Sequence, residues 1–259
     1  MGNEELILRT RNLGKDFRGF TAVNGVDLRV ARGSIHALIG PNGAGKTTCF
    51  NLLTRFLPAS RGSIEFNGID ITRAAPQDVA RRGLVRSFQI SSVFAQMSVL
   101  QNVRIALQRP TGLSYQFWRS DRILGRLDER ARALLEEVGL AADAERRTVE
   151  LPYGRKRALE IATTLAAEPE LMLLDEPTQG MGHEDVGRIT ELIRRVAVGR
   201  TVLMVEHNMA VIAGLCDRIT VLARGSVLAE GTYAEVSANA TVREAYMGGS
   251  DSELQGIGH

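Results

Sequence analysis

The first third of the chain shows short runs of strand character. LILRT (residues 6–10), VDLRV (26–30) and SIHALI (34–39) read as strands. SIEF (63–66) and IDIT (69–72) flank Asn67-Gly68, a pair suited to a type I′ turn, and are predicted to form a hairpin. SIHALI is followed by a glycine-rich loop and then by TTCFNLLTRF (47–56) at helical spacing, a strand–loop–helix unit. From about residue 90 to 167 the period becomes helical. ILGRLDERARALLEEVGL (123–140) places Leu127, Ala131, Leu134, Leu135 and Val138 on one face, and KRALEIATTLAA (156–167) does the same with Leu159, Ile161, Ala162 and Leu165. Beyond 167, LMLLD (171–175) and TVLMVEH (201–207) read as buried strands, with an amphipathic helix over 184–196 between them. RITVLARGSVLAEG (218–231) reads as a hairpin about Arg224-Gly225. Strands alternating with helices predict an α/β fold with a largely parallel sheet. The stretch 108–120 is loop-like, and its Tyr115, Phe117 and Trp118 form either a satellite cluster or a partner surface. The polar stretch 248–259 reads as a mobile tail.

Bulk properties narrow the class. The 259 residues suit one large α/β domain or a domain with a subdomain, and a net charge of +2 gives no reason to expect nucleic acid. Cys49 and Cys216 lie far apart with no CxxC, so reduced, structural thiols in a cytosolic protein are expected. The N-terminus lacks a secretion signal, and Leu6 stands where myristoylation requires Ser or Thr. The apolar runs are far shorter than the ~20 residues of a membrane helix. If the protein serves a membrane process, other chains must cross the bilayer.

GPNGAGKTT (Gly40, Pro41, Asn42, Gly43, Ala44, Gly45, Lys46, Thr47, Thr48) matches the phosphate-binding loop pattern. Gly43 and Gly45 let backbone N–H groups turn inward around a phosphate chain, and the helix that follows points its positive end at it. Lys46 can reach the β and γ phosphates of ATP, and the Thr47 hydroxyl can bind Mg²⁺. Lys46 is one of three lysines among 32 basic residues, so its presence where arginine is the habit adds weight.

Two predicted strands end in acidic residues. Sites in parallel sheets lie beyond the carboxyl ends of strands, which places Asp175 to hold Mg²⁺ through water and Glu176 to act as general base on a water in line with the γ phosphate. His207, after a strand expected beside that of the phosphate loop, can hydrogen-bond the γ phosphate and orient the water; the alternative is a structural histidine. Gln89, at the end of LVRSFQ (84–89), either ligates Mg²⁺ and reports its presence to the helical region or has no such role. Phe17 either stacks on adenine or belongs to the core.

The ordered set GPNGAGKTT, SFQ, LPYGRKRALEIA, LLDEP and VEHNM resembles the ATPase subunit of ABC transporters over nearly the whole chain, from Phe17 to about Gly231. The resemblance implies a P-loop (RecA-like) core, an antiparallel β subdomain and a helical subdomain at about 90–167 within a nucleotide-binding domain spanning 1–247. It also implies that two such domains sandwich two ATP molecules, each phosphate loop facing the other subunit's signature turn, here Tyr153-Gly154. The second ATPase subunit is a related chain or another copy. The partners implied are transmembrane permease subunits and, indirectly, an extracytoplasmic solute-binding protein, with the chain at the cytoplasmic face of the membrane. Residues 91–103, with Phe94, Met97, Val99 and Leu100, are the expected contact for a membrane subunit, or ordinary packing.

In LPYGRKRALEIA with Tyr153 before Gly154, in MVEHNM (204–209), in the extended stretch 108–124 and in the ending GSVLAEGTYAEV…VREAYMG, the chain is most similar within that superfamily to the ATPases of branched-chain (hydrophobic) amino-acid importers. Alternatives are an importer of urea, amides or other small organic solutes, or a soluble ATPase unconnected with transport. Two positions depart from the family pattern. Pro152 replaces the signature serine, and Gln179-Gly180-Met181-Gly182 lacks the usual aspartate. The signature turn acts chiefly through the Gly154 N–H and the helix start, and proline is tolerated just ahead of a helix. Arg155 and Lys156 add positive charge nearby or face solvent. A chain reduced to binding alone should have lost Lys46 or Glu176 first, so a competent ATPase is predicted.

Overall fold

The computed structural model describes residues 5–87, 93–108 and 121–247, with the backbone alone at 121–126 and 247. Gln89, Tyr115, Phe117, Trp118 and the stretch 248–259 lie outside the described residues. In chain order the strands are β1 (Leu6–Phe17), β2 (Phe20–Val26), β3 (Arg29–Ala31), β4 (Ile35–Ile39), β5 (Arg61–Phe66), β6 (Ile69–Asp70), β7 (Leu84–Arg86), β8 (Leu171–Asp175), β9 (Thr201–Val205), β10 (Arg218–Ala223) and β11 (Ser226–Gly231). The helices are α1 (Lys46–Leu53), α2 (Pro76–Arg81), α3 (Val99–Gln108), α4 (Asp121–Glu137), α5 (Tyr153–Leu165), α6 (His183–Val196), α7 (Met209–Leu215), α8 (Tyr233–Ala238) and α9 (Ala240–Met247).

The strands form two sheets. One runs β11-β10-β4-β9-β8-β7, parallel throughout except for the β10–β11 hairpin. The other is antiparallel, ordered β2-β1-β5-β6, with β3 also on β1. Alternate side chains of a strand face opposite ways, and the core divides accordingly. Ala37, Met172, Leu174, Val202 and Met204 join a core shared with α3 to α7. Leu38, Leu171, Leu173, Leu203 and Val205 face the other way, packing with Phe50 and Leu53 of α1 and with Leu8, Ile64 and Phe66 of the antiparallel sheet. The central strands β4, β8 and β9 are therefore buried at every position because both faces are covered.

Several expectations need adjustment. VDLRV is not one strand: Val26 ends β2, Gly25 has φ of 67°, and Arg29 begins β3. Between them the Asn12 N–H donates to Asp27 Oδ1 at 2.6 Å and the Leu28 N–H to Thr10 Oγ1 at 2.8 Å, which redirects the chain. β1 runs on to Phe17 and turns at Arg18-Gly19 into β2, a hairpin that the charged turn concealed. The predicted helix over 47–56 stops at Leu53, where Arg55 adopts a φ of 63°. β9 stops at Val205, which leaves Glu206 and His207 beyond the ladder. The Asn67-Gly68 hairpin has φ of 52° and 73° at its two turn residues, as a type I′ turn requires. The predicted faces of α4 and α5 are the buried ones: Ala131, Leu134, Leu135, Leu159, Ile161, Ala162 and Leu165 all enter one core.

Candidate functional site

Four adjacent parallel strands, β10, β4, β9 and β8, end on one edge of the sheet, and the loops that leave them build the site. After β4 the chain makes the phosphate loop. Gly43 has φ of 78° and Gly45 of 102°; a Cβ on Gly45 would stand 2.5 Å from the Ala22 carbonyl oxygen. Only glycine fits this left-handed, closely approached backbone. The Lys46 ammonium is almost buried and donates to Gly40 O at 2.6 Å and Pro41 O at 3.1 Å, so the loop folds around its own cation. The Ala44 N–H closes the turn on Pro41 O at 3.1 Å. Asn42, Gly43 and Thr47 are exposed, and Thr48 is half-buried.

Asp175 ends β8. Its Oδ2 is ion-paired with Arg86 of β7, both side chains nearly buried. The other arm of Arg86 donates to Asn51 Oδ1 on α1 at 2.6 Å, and the guanidinium lies 5.8 Å from the Phe50 ring centre. One arginine thus spans from the phosphate-loop helix to the Asp175 carboxylate. Asp175 and α1 are therefore within a single side chain's reach. Sequence reading missed Arg86. Its only signal was a charge at the end of a strand that would stand beside β8.

Glu176 is held from every side. Its φ is 47°, a region that non-glycine residues rarely occupy. Its N–H donates to Val205 O at 2.9 Å, and its carbonyl accepts from Arg157 at 3.1 Å and from the Gln179 N–H at 3.1 Å. Its Oε1 lies 2.9 Å from His207 Nε2. Arg157 is itself buried on α5 and paired with the buried Glu160 at 2.7 Å; burial pushes the Glu160 carboxyl up, and the Arg157 cation opposes that rise. The structure therefore brings together Asp175, Glu176 and His207 on the edge where the phosphate loop begins, and β9 pairs directly with β4 as expected.

The signature turn has its proline just ahead of a helix, as expected. Pro152 is the N-cap of α5, which starts at Tyr153. Arg155 is ion-paired with Asp143, and the Lys156 ammonium donates to Val149 O at 3.2 Å. Both cations are thus engaged within the helical region. Gly154 is packed on α6, where an added Cβ would stand 2.9 Å from Asp185 Cγ. Tyr153 is exposed, with its hydroxyl close to Gly180. Phe17 is 42% exposed beneath the Lys15 ammonium, 5.1 Å from its ring centre, which is not a core position. Phe20, still more exposed, stands opposite it across the hairpin.

The cysteines are both free, and burial pushes each thiol up to about 12. Among the described residues no helix is long and apolar enough to cross a membrane, and no three His, Cys, Asp or Glu side chains cluster to hold a metal.

Known proteins resemble this chain over more than nine-tenths of its length. The family model described as ABC transporter matches residues 23–179, and that described as branched-chain amino acid ATP-binding cassette transporter matches 226–252. The high-affinity branched-chain amino acid transport ATP-binding protein LivG of Salmonella typhimurium is 37% identical over 249 residues, covering 93% of this chain and 98% of its own. A probable LivG of Archaeoglobus fulgidus is 36% identical, covering 96% and 98%. Among solved structures, a nucleotide-free ATP-binding cassette from an ABC transporter superposes with a TM-score of 0.83 at 30% identity, covering 93% and 98%. The ADP conformation of the cassette MJ1267 gives 0.82 at 30%, covering 94% and 99%.

Proposed function

Because the chain belongs to the ABC transporter ATPase family, we propose that it hydrolyses ATP to power import of branched-chain or other hydrophobic amino acids through partner membrane subunits. The observation that carries this reading furthest is the match of residues 226–252 to the branched-chain amino acid C-terminal family, because the phosphate-loop core alone serves ATPases of many kinds. The similarity to LivG proteins over more than nine-tenths of the chain supports the same substrate class.

The residues fit the chemistry. The glycine backbone over 40–45, Lys46, Thr47 and Thr48 would cradle the triphosphate of ATP, and Phe17 would stack on its adenine. Thr47, Asp175 and Gln89 would hold Mg²⁺, oxygen donors of the kind it takes beside substrate phosphates, where it supplies neutralising charge. Glu176 would take the proton of the attacking water, and His207, hydrogen-bonded to it, would keep that water and the γ phosphate in line. The fixed backbone of Glu176 favours this role, since a base must be aimed before its basicity matters. Tyr153-Gly154 and the start of α5 would face the γ phosphate bound by a second ATPase subunit, a related chain or another copy. Hydrolysis would remove the contacts that hold the two subunits closed.

In this reading the chain sits at the cytoplasmic face of the membrane, bound to permease subunits, with an extracytoplasmic solute-binding protein acting indirectly and no nucleic acid involved. Exposed Phe94 and Met97, next to α3, are the proposed contact for a permease, whereas Val99 and Leu100, expected beside them, are packed in the core. Reconstitution with the permease subunits and binding protein that co-purify with it tests this. ATP-dependent uptake of leucine, isoleucine or valine into proteoliposomes is expected. ATP hydrolysis stimulated only by another solute, such as urea, would overturn the substrate assignment.

A further inference from the structure

Glu206 follows the last residue of β9 and is 3% exposed. Its carboxylate is met by four donors. Oε1 accepts from the Thr178 backbone N–H at 3.0 Å and from the Thr178 hydroxyl. Oε2 accepts from the backbone N–H groups of His207 at 2.7 Å and Asn208 at 3.0 Å. A carboxylate this deep is costly unless both oxygens are satisfied, and here both take charge-assisted bonds.

The two oxygens hold two different segments. One leaves Glu176 through Pro177 and Thr178 toward Gln179-Gly180-Met181-Gly182. The other carries His207 into α7. The second segment does not need Glu206 to start its helix, because Asn208 Oδ1 already caps α7 by accepting from the Ala210 and Val211 N–H groups at 3.0 and 3.3 Å. The β8–β9 ladder ends at Asp175 opposite Val205, and the Glu176 N–H to Val205 O is its last backbone bond. Past that point Glu206 joins the two loops. No neutral isostere can do the same, because an amide would turn an NH₂ group toward backbone N–H donors.

We infer that Glu206 is a positioning residue for hydrolysis: by bridging the Thr178 and His207 backbones it fixes the spacing of the Glu176 carboxylate and the His207 imidazole. This rests on the assignment of Glu176 and His207 to the hydrolytic step.

A mutant cycle tests it, reading kcat, KM and nucleotide affinity of the full chain. Glu206→Gln should lower kcat by about tenfold or more with ATP affinity within about twofold of the parent. In a His207→Ala background the same change should cost little more, because residues acting as a unit are non-additive. A kcat unchanged by Glu206→Gln, or a loss that adds in full to that of His207→Ala, would overturn the inference. If Glu206→Gln does not fold, Thr178→Val and Thr178→Ser decide: the valine variant should lose kcat and the serine variant retain it, and equal activity of valine and parent would overturn the inference. Failure of the underlying assignment looks different, since His207→Ala alone would then keep full turnover.

Discussion

His207 Nε2 lies 2.9 Å from Glu176 Oε1, across the gap between the ends of two neighbouring strands. The pair joins a residue in strained backbone, which makes the last backbone bond of the β8–β9 ladder, to one in the turn after β9. Such strain persists only where surrounding contacts over-determine it. If His207 orients the water that Glu176 activates, His207→Ala should lower kcat by about 10²-fold with little change in ATP affinity. Steady-state hydrolysis beside equilibrium nucleotide binding checks this.

Arg86 and Asp175 form a nearly buried ion pair that also reaches Asn51. Removing one partner leaves the other uncompensated, so Arg86→Ala and Asp175→Asn should each destabilise the nucleotide-free chain by about 1–3 kcal/mol. In the double variant the losses should not add. Urea unfolding of the four proteins without nucleotide measures the coupling.

Phe17 is exposed rather than packed, so its loss should not harm the fold. Phe17→Ala is expected to raise KM for ATP several-fold, on the order of the ~1 kcal/mol of a lost stacking contact, with kcat nearly kept. A discrimination test against a triphosphate with a smaller base would show whether that contact is with adenine.

His36 lies fully buried in β4, bonded through Nε2 to Thr220 Oγ1 at 2.8 Å, and Nδ1 has no partner. Burial, aided by the Arg218 charge, lowers its pKa from 6.5 to about 4. The folded chain therefore keeps it neutral where the unfolded chain binds a proton. The stability is fully present above pH 6.5 and is lost progressively as pH falls toward 4. The loss from this group amounts to about 3 kcal/mol. Denaturant unfolding of the parent and of His36→Gln across that window should show the variant losing less stability on acidification.

Much of this was legible in the sequence because it is local. The phosphate loop, the Asn67-Gly68 turn and the helical faces of α4 and α5 depend on residues close in the chain. The Arg18-Gly19 hairpin was not legible, because charges interrupt the alternation and Gly25 breaks it again. Arg86 and Glu206 were overlooked for a different reason. Each acts across a strand neighbour, β7 beside β8 and β8 beside β9, and that adjacency exists only once the sheet is ordered. Arg155 likewise pairs with Asp143, a partner that spacing along the chain did not suggest. The strand ends carrying Asp175, Glu176 and His207 were readable as acidic or polar stops, whereas the His207–Glu176 contact was not.

Everything proposed for the reaction converges on the Glu176 carboxylate. Single-turnover release of phosphate from ATP by Glu176→Gln, measured beside its equilibrium affinity for MgATP, tests that most directly. Parent-like nucleotide affinity with phosphate release slowed by about 10²-fold or more is the predicted result. Release at the parent rate would show that the proton of the attacking water goes elsewhere.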